Sequence, residues 1–240
     1  MCIRDRVVGR RGSGKTALTQ YFSFQNVIKN PIILDVDEPE EYEKVLDSVG
    51  KWSGSDSDRS VRRAEKIWRY LIWCLIFERT KDHGEKIKSA CIPCQHSDSD
   101  SGILNRAVSW LVETWNPPEN DEEFVSGAVD EEIDAALFKS AVEEVITLAS
   151  KRPIIIAIDT LERYDFSETL MTAIAGLVQF SAKFNNIYSK LNIHLKVFIS
   201  GEIYPRLYES HLENPSKNIK HPVHMIWRAK DLLRLIVLEI

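Results

Sequence analysis

Short apolar runs alternate along this chain with longer segments of helical period. Residues 32–36, 154–158 and 194–200 are rich in isoleucine, leucine and valine, and proline or asparagine precedes each of them closely. That length and composition predict buried strands. Residues 221–227 predict a further strand, and Val7-Val8 the first. Between the strands, residues 17–24, 130–150, 167–189 and 228–240 place apolar side chains at three- and four-residue spacing, which predicts helices. Strands that are apolar throughout and separated by helices belong to a parallel sheet covered on both faces. The expectation is an α/β fold with five parallel strands.

One region departs from that rhythm. Residues 51–127 hold two serine-aspartate stretches, "SGSDSD" and "SDSDSG", on either side of an aromatic-rich helix around Trp68. A second helix is predicted over 103–115, ending at Asn116-Pro117-Pro118. The reading is a helical insertion with solvated loops in an otherwise regular domain, and 240 residues suffice for both. Trp68, Trp73 and Trp115 would pack inside the insertion or line a binding surface, with packing the ordinary outcome for tryptophans at helical spacing.

Charge and cysteine content narrow the function classes. A formal net charge of −5 does not suit nucleic-acid binding by bulk electrostatics. The most apolar stretch, residues 67–77, is too short for a membrane span and carries Arg69. The four cysteines, two of them in Cys91-Ile92-Pro93-Cys94, suit a reducing cytoplasm better than a disulfide framework. Cys91, Cys94, His96 and His83 offer half of a zinc site, but no second pair stands at a suitable spacing, so a reduced loop is the simpler reading.

The chemistry concentrates at "GRRGSGKT". Gly9, Arg10, Arg11, Gly12, Ser13, Gly14, Lys15 and Thr16 fit G-x-x-x-x-G-K-[ST], the Walker A pattern. Glycines let the backbone approach a phosphate chain, and successive N–H groups then point inward as an anion nest. Ala17 continues this loop into its helix. Lys15 would reach the β- and γ-phosphates, and Thr16 would offer a hydroxyl to Mg²⁺. Asp159 ends the apolar run Ile154-Ile155-Ile156-Ala157-Ile158, as a Walker B carboxylate does. In an open parallel sheet, ligands gather beyond the carboxyl ends of the strands, which would bring Asp159 to the Mg²⁺ shell. A helix N-cap is the alternative role for Asp159. Glu162 is the candidate for polarising an attacking water, or else an ordinary acid at a helix start.

These residues resemble the additional-strand P-loop ATPases. The acid three places after Asp159 is similar to the STAND and NACHT-like signalling branch of that group. "HLKVFISGEIYPRL" and "HMIWRAKDLLRLI" resemble the branch's sensor strand and the segment that follows. The resemblance spans residues 7–24, 31–42 and 154–240, and excludes the insertion. It implies a sheet order of 5-1-4-3-2, ATP and Mg²⁺ as ligands, and hydrolysis that drives a conformational switch. It also implies self-association or a protein partner, through regions beyond this chain. The sensor position falls on Ser200 where relatives can have arginine; Arg163 and Arg206 are the arginines that could compensate. Two other readings stay open: a nucleotide-dependent scaffold with little turnover, and a small-molecule kinase with the insertion as a lid.

The first strand is the weak point. Arg4-Asp5-Arg6 would place charges in the centre of a buried sheet, where an uncompensated charge costs several kcal/mol. Met1-Cys2-Ile3-Arg4-Asp5-Arg6 resembles a translated sequencing adapter, so residues 1–6 are expected to be foreign to the domain. The uncapped "LLRLIVLEI" suggests a chain that continues beyond Ile240.

Overall fold

A computed structural model describes residues 6–15, 18, 32–35, 39–54, 57–91, 104, 106–110, 122–159, 167–212, 215–219 and 222–226. The fold is α/β, with a parallel sheet and mostly helices around it. The strands are β1 (Arg6–Gly9), β2 (Ile32–Asp35), β3 (Ile154–Asp159) and β4 (Ile193–Ser200). They lie in the order β2-β3-β4-β1, and the three-residue β5 (Val223–Met225) pairs with the other side of β1. All of these pairings are parallel. The described helices include α1 (Pro39–Ser53), α2 (Ser57–Thr80), α3 (Glu85–Ala90), α4 (Glu122–Asp134), α5 (Ala136–Lys151) and α6 (Glu168–Tyr188).

The strands are apolar on consecutive positions because both faces are covered. Ile154, Ile156 and Ile158 of β3, with Ile193, Leu195, Val197 and Ile199 of β4, face the main core. Ala157 and Phe198 point to the opposite face, where they meet Val7, with Leu18, Val223 and Met225 packed against them. Helix α6 lies on the main-core face against β4, and both α1 and α2 pack on α6. It is therefore buried nearly all round from Leu170 to Asn185. Its start is defined by Ser167, whose Oγ accepts from the Leu170 N–H at 3.2 Å.

Arg6 resolves part of the tension at the first strand. It lies in β1, opposite Val197, and is 5% exposed. Its Nη2 donates to the Val178 carbonyl at 3.3 Å and to Ser181 Oγ at 3.0 Å, both on α6. A guanidinium that is buried but hydrogen-bonded avoids much of the penalty of an orphaned one. Arg4 and Asp5 lie outside the described residues.

The aromatic-rich helix of the expected insertion is α2, and its apolar residues join the same core as the sheet. Trp68 is fully buried and donates its Nε1–H to the Ala173 carbonyl of α6 at 2.8 Å. Tyr70 stacks on Trp110 and on Phe138 of α5, at centroid distances of 6.0 and 6.2 Å. Trp73 is also buried in this core; Trp115 lies outside the described residues. The helices cross closely where glycine permits it. A Cβ on Gly176 would overlap the Ala64 side chain and come within 2.9 Å of the α2 backbone.

Two elements differ from the sequence reading. The single helix predicted over 130–150 is split: α4 ends at Asp134, Ala135 is extended, and α5 starts at Ala136. No breaker residue marks the split. Its basis is tertiary, since α4 packs on α2 whereas α5 packs chiefly on α3. Of the strand predicted over 221–227, Val223–Met225 is strand, with one neighbour among the described residues; Pro222 and Ile226 flank it outside the ladder, Ile226 exposed, and His221 and Trp227 lie outside the described residues.

Candidate functional site

The site begins where β1 ends. Gly9 lies between β4 on one side and β5 on the other. A Cβ at Gly9 would overlap Ser13 Oγ and press on Met225 at 3.1 Å, so glycine there lets the loop fold back over the strand end without displacing these side chains. The turn closes with the Ser13 N–H donating to the Arg10 carbonyl at 3.0 Å. Gly12 and Gly14 take positive φ of 73° and 87°, conformations that side chains other than glycine rarely adopt. Lys15 is helical, and the Leu18 N–H donates to the Gly14 carbonyl at 2.9 Å. Thr16 and Ala17 lie outside the described residues.

Lys15 is buried, and its Nζ donates to the carbonyls of Gly9 at 2.9 Å and Arg10 at 3.1 Å. The ammonium thus folds back over the first residues of its own loop. Arg10, Arg11 and Gly12 are exposed at the rim.

Strand β4 brings a second set of groups to this end of the sheet. Ser200 pairs with Gly9, and the Gly201 N–H continues the ladder to the Gly9 carbonyl at 2.9 Å. Gly201 passes close to the loop, since a Cβ there would lie 3.3 Å from the Arg10 nitrogen. Ser200 is buried and donates its hydroxyl to Glu202 Oε2, and the Glu202 N–H returns a bond to Ser200 Oγ at 3.3 Å. The Glu202 carboxylate also accepts from the Arg11 backbone N–H and sits in the field of Lys15. The Ser200 hydroxyl is the largest cause holding this exposed carboxylate below the ordinary range; slight burial works in the opposite direction.

Asp159 ends β3 in register with Phe198, half-buried, at the same carboxyl edge. One strand, β4, separates β3 from β1, and Asp159 is level with Phe198 and Val7, so Gly9 stands two strand spacings across and two residues further along, roughly 12 Å away. Gly9, Lys15, Asp159 and Ser200 therefore share one edge of the sheet. Glu162 and Arg163 lie outside the described residues. Arg206 is exposed on the short helix Tyr204–Arg206.

Glu202 is the site residue that sequence reasoning passed over. The signal was present in "FISGE", a carboxylate just beyond the carboxyl end of a strand, where ligands gather in parallel sheets. The cysteine site does not gain support in the same way. Cys91 is buried and donates to Glu78 Oε2 at 3.1 Å, and Glu78 also pairs with Lys81 at 2.9 Å and Arg106 at 3.4 Å. Cys94 and His96 lie outside the described residues, and among the described residues no three His, Cys, Asp or Glu side chains cluster as a metal site. No helix among the described residues is long and apolar enough to cross a membrane.

Compared with protein-family models, with curated proteins and with solved structures, the chain matches none.

Proposed function

We propose that this chain is an ATP-binding P-loop ATPase whose Mg²⁺-dependent hydrolysis drives a conformational switch of the signalling or defence type. The observation that carries the reading is the conformation of Gly9–Lys15 at the end of a central parallel strand. Glycines stand where a side chain would fill the cradle or strain the backbone, and the lysine ammonium rests on the loop's own carbonyls. A phosphate chain entering such a loop meets inward N–H groups and takes over the ammonium from neutral carbonyls, a charge-assisted exchange. The strand order β5-β1-β4-β3-β2 supports the additional-strand class of P-loop fold, because a strand inserted between β1 and β3 is its signature.

Within this reading Lys15 neutralises charge on the β- and γ-phosphates, and Ser200 contacts the terminal phosphate from β4. Thr16 and Asp159 would hold Mg²⁺, which would supply neutralisation of the phosphate charge. Glu162 orients the attacking water. The setting is cytoplasmic, with self-association or a protein partner as the recipient of the switch. A multiple-turnover phosphate-release assay tests the reading. Release from ATP that needs Mg²⁺ and disappears in Lys15→Ala supports it; equal release from both proteins rejects it.

A second reading has one observation in its favour. Glu202 at the loop supports a scaffold that binds nucleotide and turns it over slowly, because a carboxylate there opposes a terminal phosphate. Tight nucleotide binding without release above background would select that reading. A small-molecule kinase would need an added acceptor before any transfer occurred.

A further inference from the structure

We propose that Glu202 determines which nucleotide this site prefers: its carboxylate stands at the γ-phosphate end of the loop and selects for a diphosphate over a triphosphate. The inference rests on the nucleotide-site reading and extends it to a residue that the motifs do not include.

The position follows from Lys15. In a phosphate-binding loop the lysine serves the β- and γ-phosphates. Here its ammonium lies over the carbonyls of Gly9 and Arg10, so the terminal phosphate belongs at the front of the loop. The Glu202 carboxylate is at that front. It takes the Arg11 N–H and the Ser200 hydroxyl, and Lys15 is the cation whose charge it feels. Each of those two donors has a single hydrogen. A terminal phosphate that binds the Arg11 N–H and the Ser200 hydroxyl must therefore displace Glu202 from both. A diphosphate, which ends one phosphate earlier, leaves the carboxylate where it is.

Charge adds to the competition. An anion next to a γ-phosphate repels it, weakly in a watery setting and more strongly as water is excluded. Glu202 is exposed, so the weaker repulsion applies, together with the loss of its donors. Its position makes displacement feasible: Glu202 lies two residues beyond the end of β4, outside the β4–β1 pairing. The same hydrogen bonds argue against a general-base role. A carboxylate held below the ordinary range by donors is a weaker base than one poised near neutral pH.

The test is calorimetric titration of the wild-type chain and Glu202→Gln with Mg-ADP and with a Mg-bound, non-hydrolysable β,γ-imido ATP analogue. The expected result is analogue binding tightened about tenfold in Glu202→Gln, with ADP changed less than about threefold. Nucleotide binding with the same analogue-to-ADP ratio in both proteins would overturn the proposal and leave the nucleotide site intact. Absence of binding by either protein, both folded by circular dichroism, would overturn the nucleotide site and the proposal together. Glu202→Asp keeps the charge but draws it back from the Arg11 N–H. It must shift the ratio in the same direction by a smaller factor, which keeps the proposal falsifiable should Glu202→Gln misfold.

Discussion

Asn185 on α6 holds both backbone groups of Leu195 on β4. Its Nδ2 donates to the Leu195 carbonyl at 2.8 Å, and its Oδ1 accepts from the Leu195 N–H at 2.9 Å. The described pairing of β1 with β4 starts at Arg6 opposite Val197, two residues later. A side-chain amide thus does at Leu195 what a neighbouring strand does further along, and it ties α6 to the sheet. Asn185→Leu would leave two buried backbone groups without this partner. The expected loss is about 2–5 kcal/mol, with a lower urea midpoint and an unchanged denaturant slope. A loss below about 1 kcal/mol would mean that water or a backbone shift satisfies Leu195 instead.

The glycines of two helices should respond in opposite ways to alanine. Gly176 of α6 faces α2, and its added Cβ would strike Ala64 and the backbone of Glu65. Gly127 of α4 is exposed with nothing within 4 Å of the added atom. Gly176→Ala is expected to cost about 1–3 kcal/mol through overpacking. Gly127→Ala is expected to stabilise by about 0.5–1 kcal/mol through helix propensity. Thermal unfolding of both variants checks the contrast, and a shared sign would contradict the α2–α6 crossing.

Lys15 and Asp159 should separate binding from turnover. On the proposed reading Lys15→Ala would take the ammonium away from the phosphates, and nucleotide affinity is expected to fall about 100-fold. Asp159→Asn keeps the size of the side chain and loses the charge that the proposed reading assigns to Mg²⁺ binding. It should bind ADP within a few-fold of wild type while Mg²⁺-dependent phosphate release falls by two or more orders of magnitude, the scale of a lost electrostatic contributor. Equal turnover in Asp159→Asn would return Asp159 to a structural role.

Glu202 also predicts a pH dependence in the ligand-free protein. Its folded-state pKa is lowered, chiefly by the Ser200 hydroxyl, with Lys15 contributing as the nearby cation. The unfolded chain therefore binds a proton more readily, and stability from this group is present above the unfolded value near 4.3. It is lost as pH falls through the lower folded value. Carbon-13 titration of the Glu202 carboxyl should give a midpoint below that of a model glutamate, and Ser200→Ala should move it back up. A midpoint at or above the model value would show that the Ser200 contact does not persist in solution.

Legibility in the sequence was uneven for physical reasons. The described parts of the runs at 32–36, 154–158 and 194–200 are strands because a parallel sheet covered on both faces buries continuous apolar residues. Gly12, Gly14 and Lys15 were legible because each is specified by local chemistry, a left-handed backbone or a charge at a helix start. Arg6 was not. A charge inside a strand looks prohibitive until α6 supplies a carbonyl and a hydroxyl, and those partners lie more than 170 residues away. The break at Ala135 left no trace either, because Ala135 is a good helix former and the bend answers to two different neighbours.

By itself, then, the sequence determined the alternation of the described strands and helices, the glycine-rich loop at residues 9–15 and the place of Asp159 at the end of a strand. These depend on interactions within a few residues, which a linear pattern records. The tertiary structure alone decided that α2 belongs to the main core, that Asn185 completes the edge of β4, and that Glu202 meets the loop from a strand nearly 200 residues on. Each of those rests on the close approach of distant segments, where a single hydrogen or a missing Cβ settles the outcome and hydrophobic periodicity is silent.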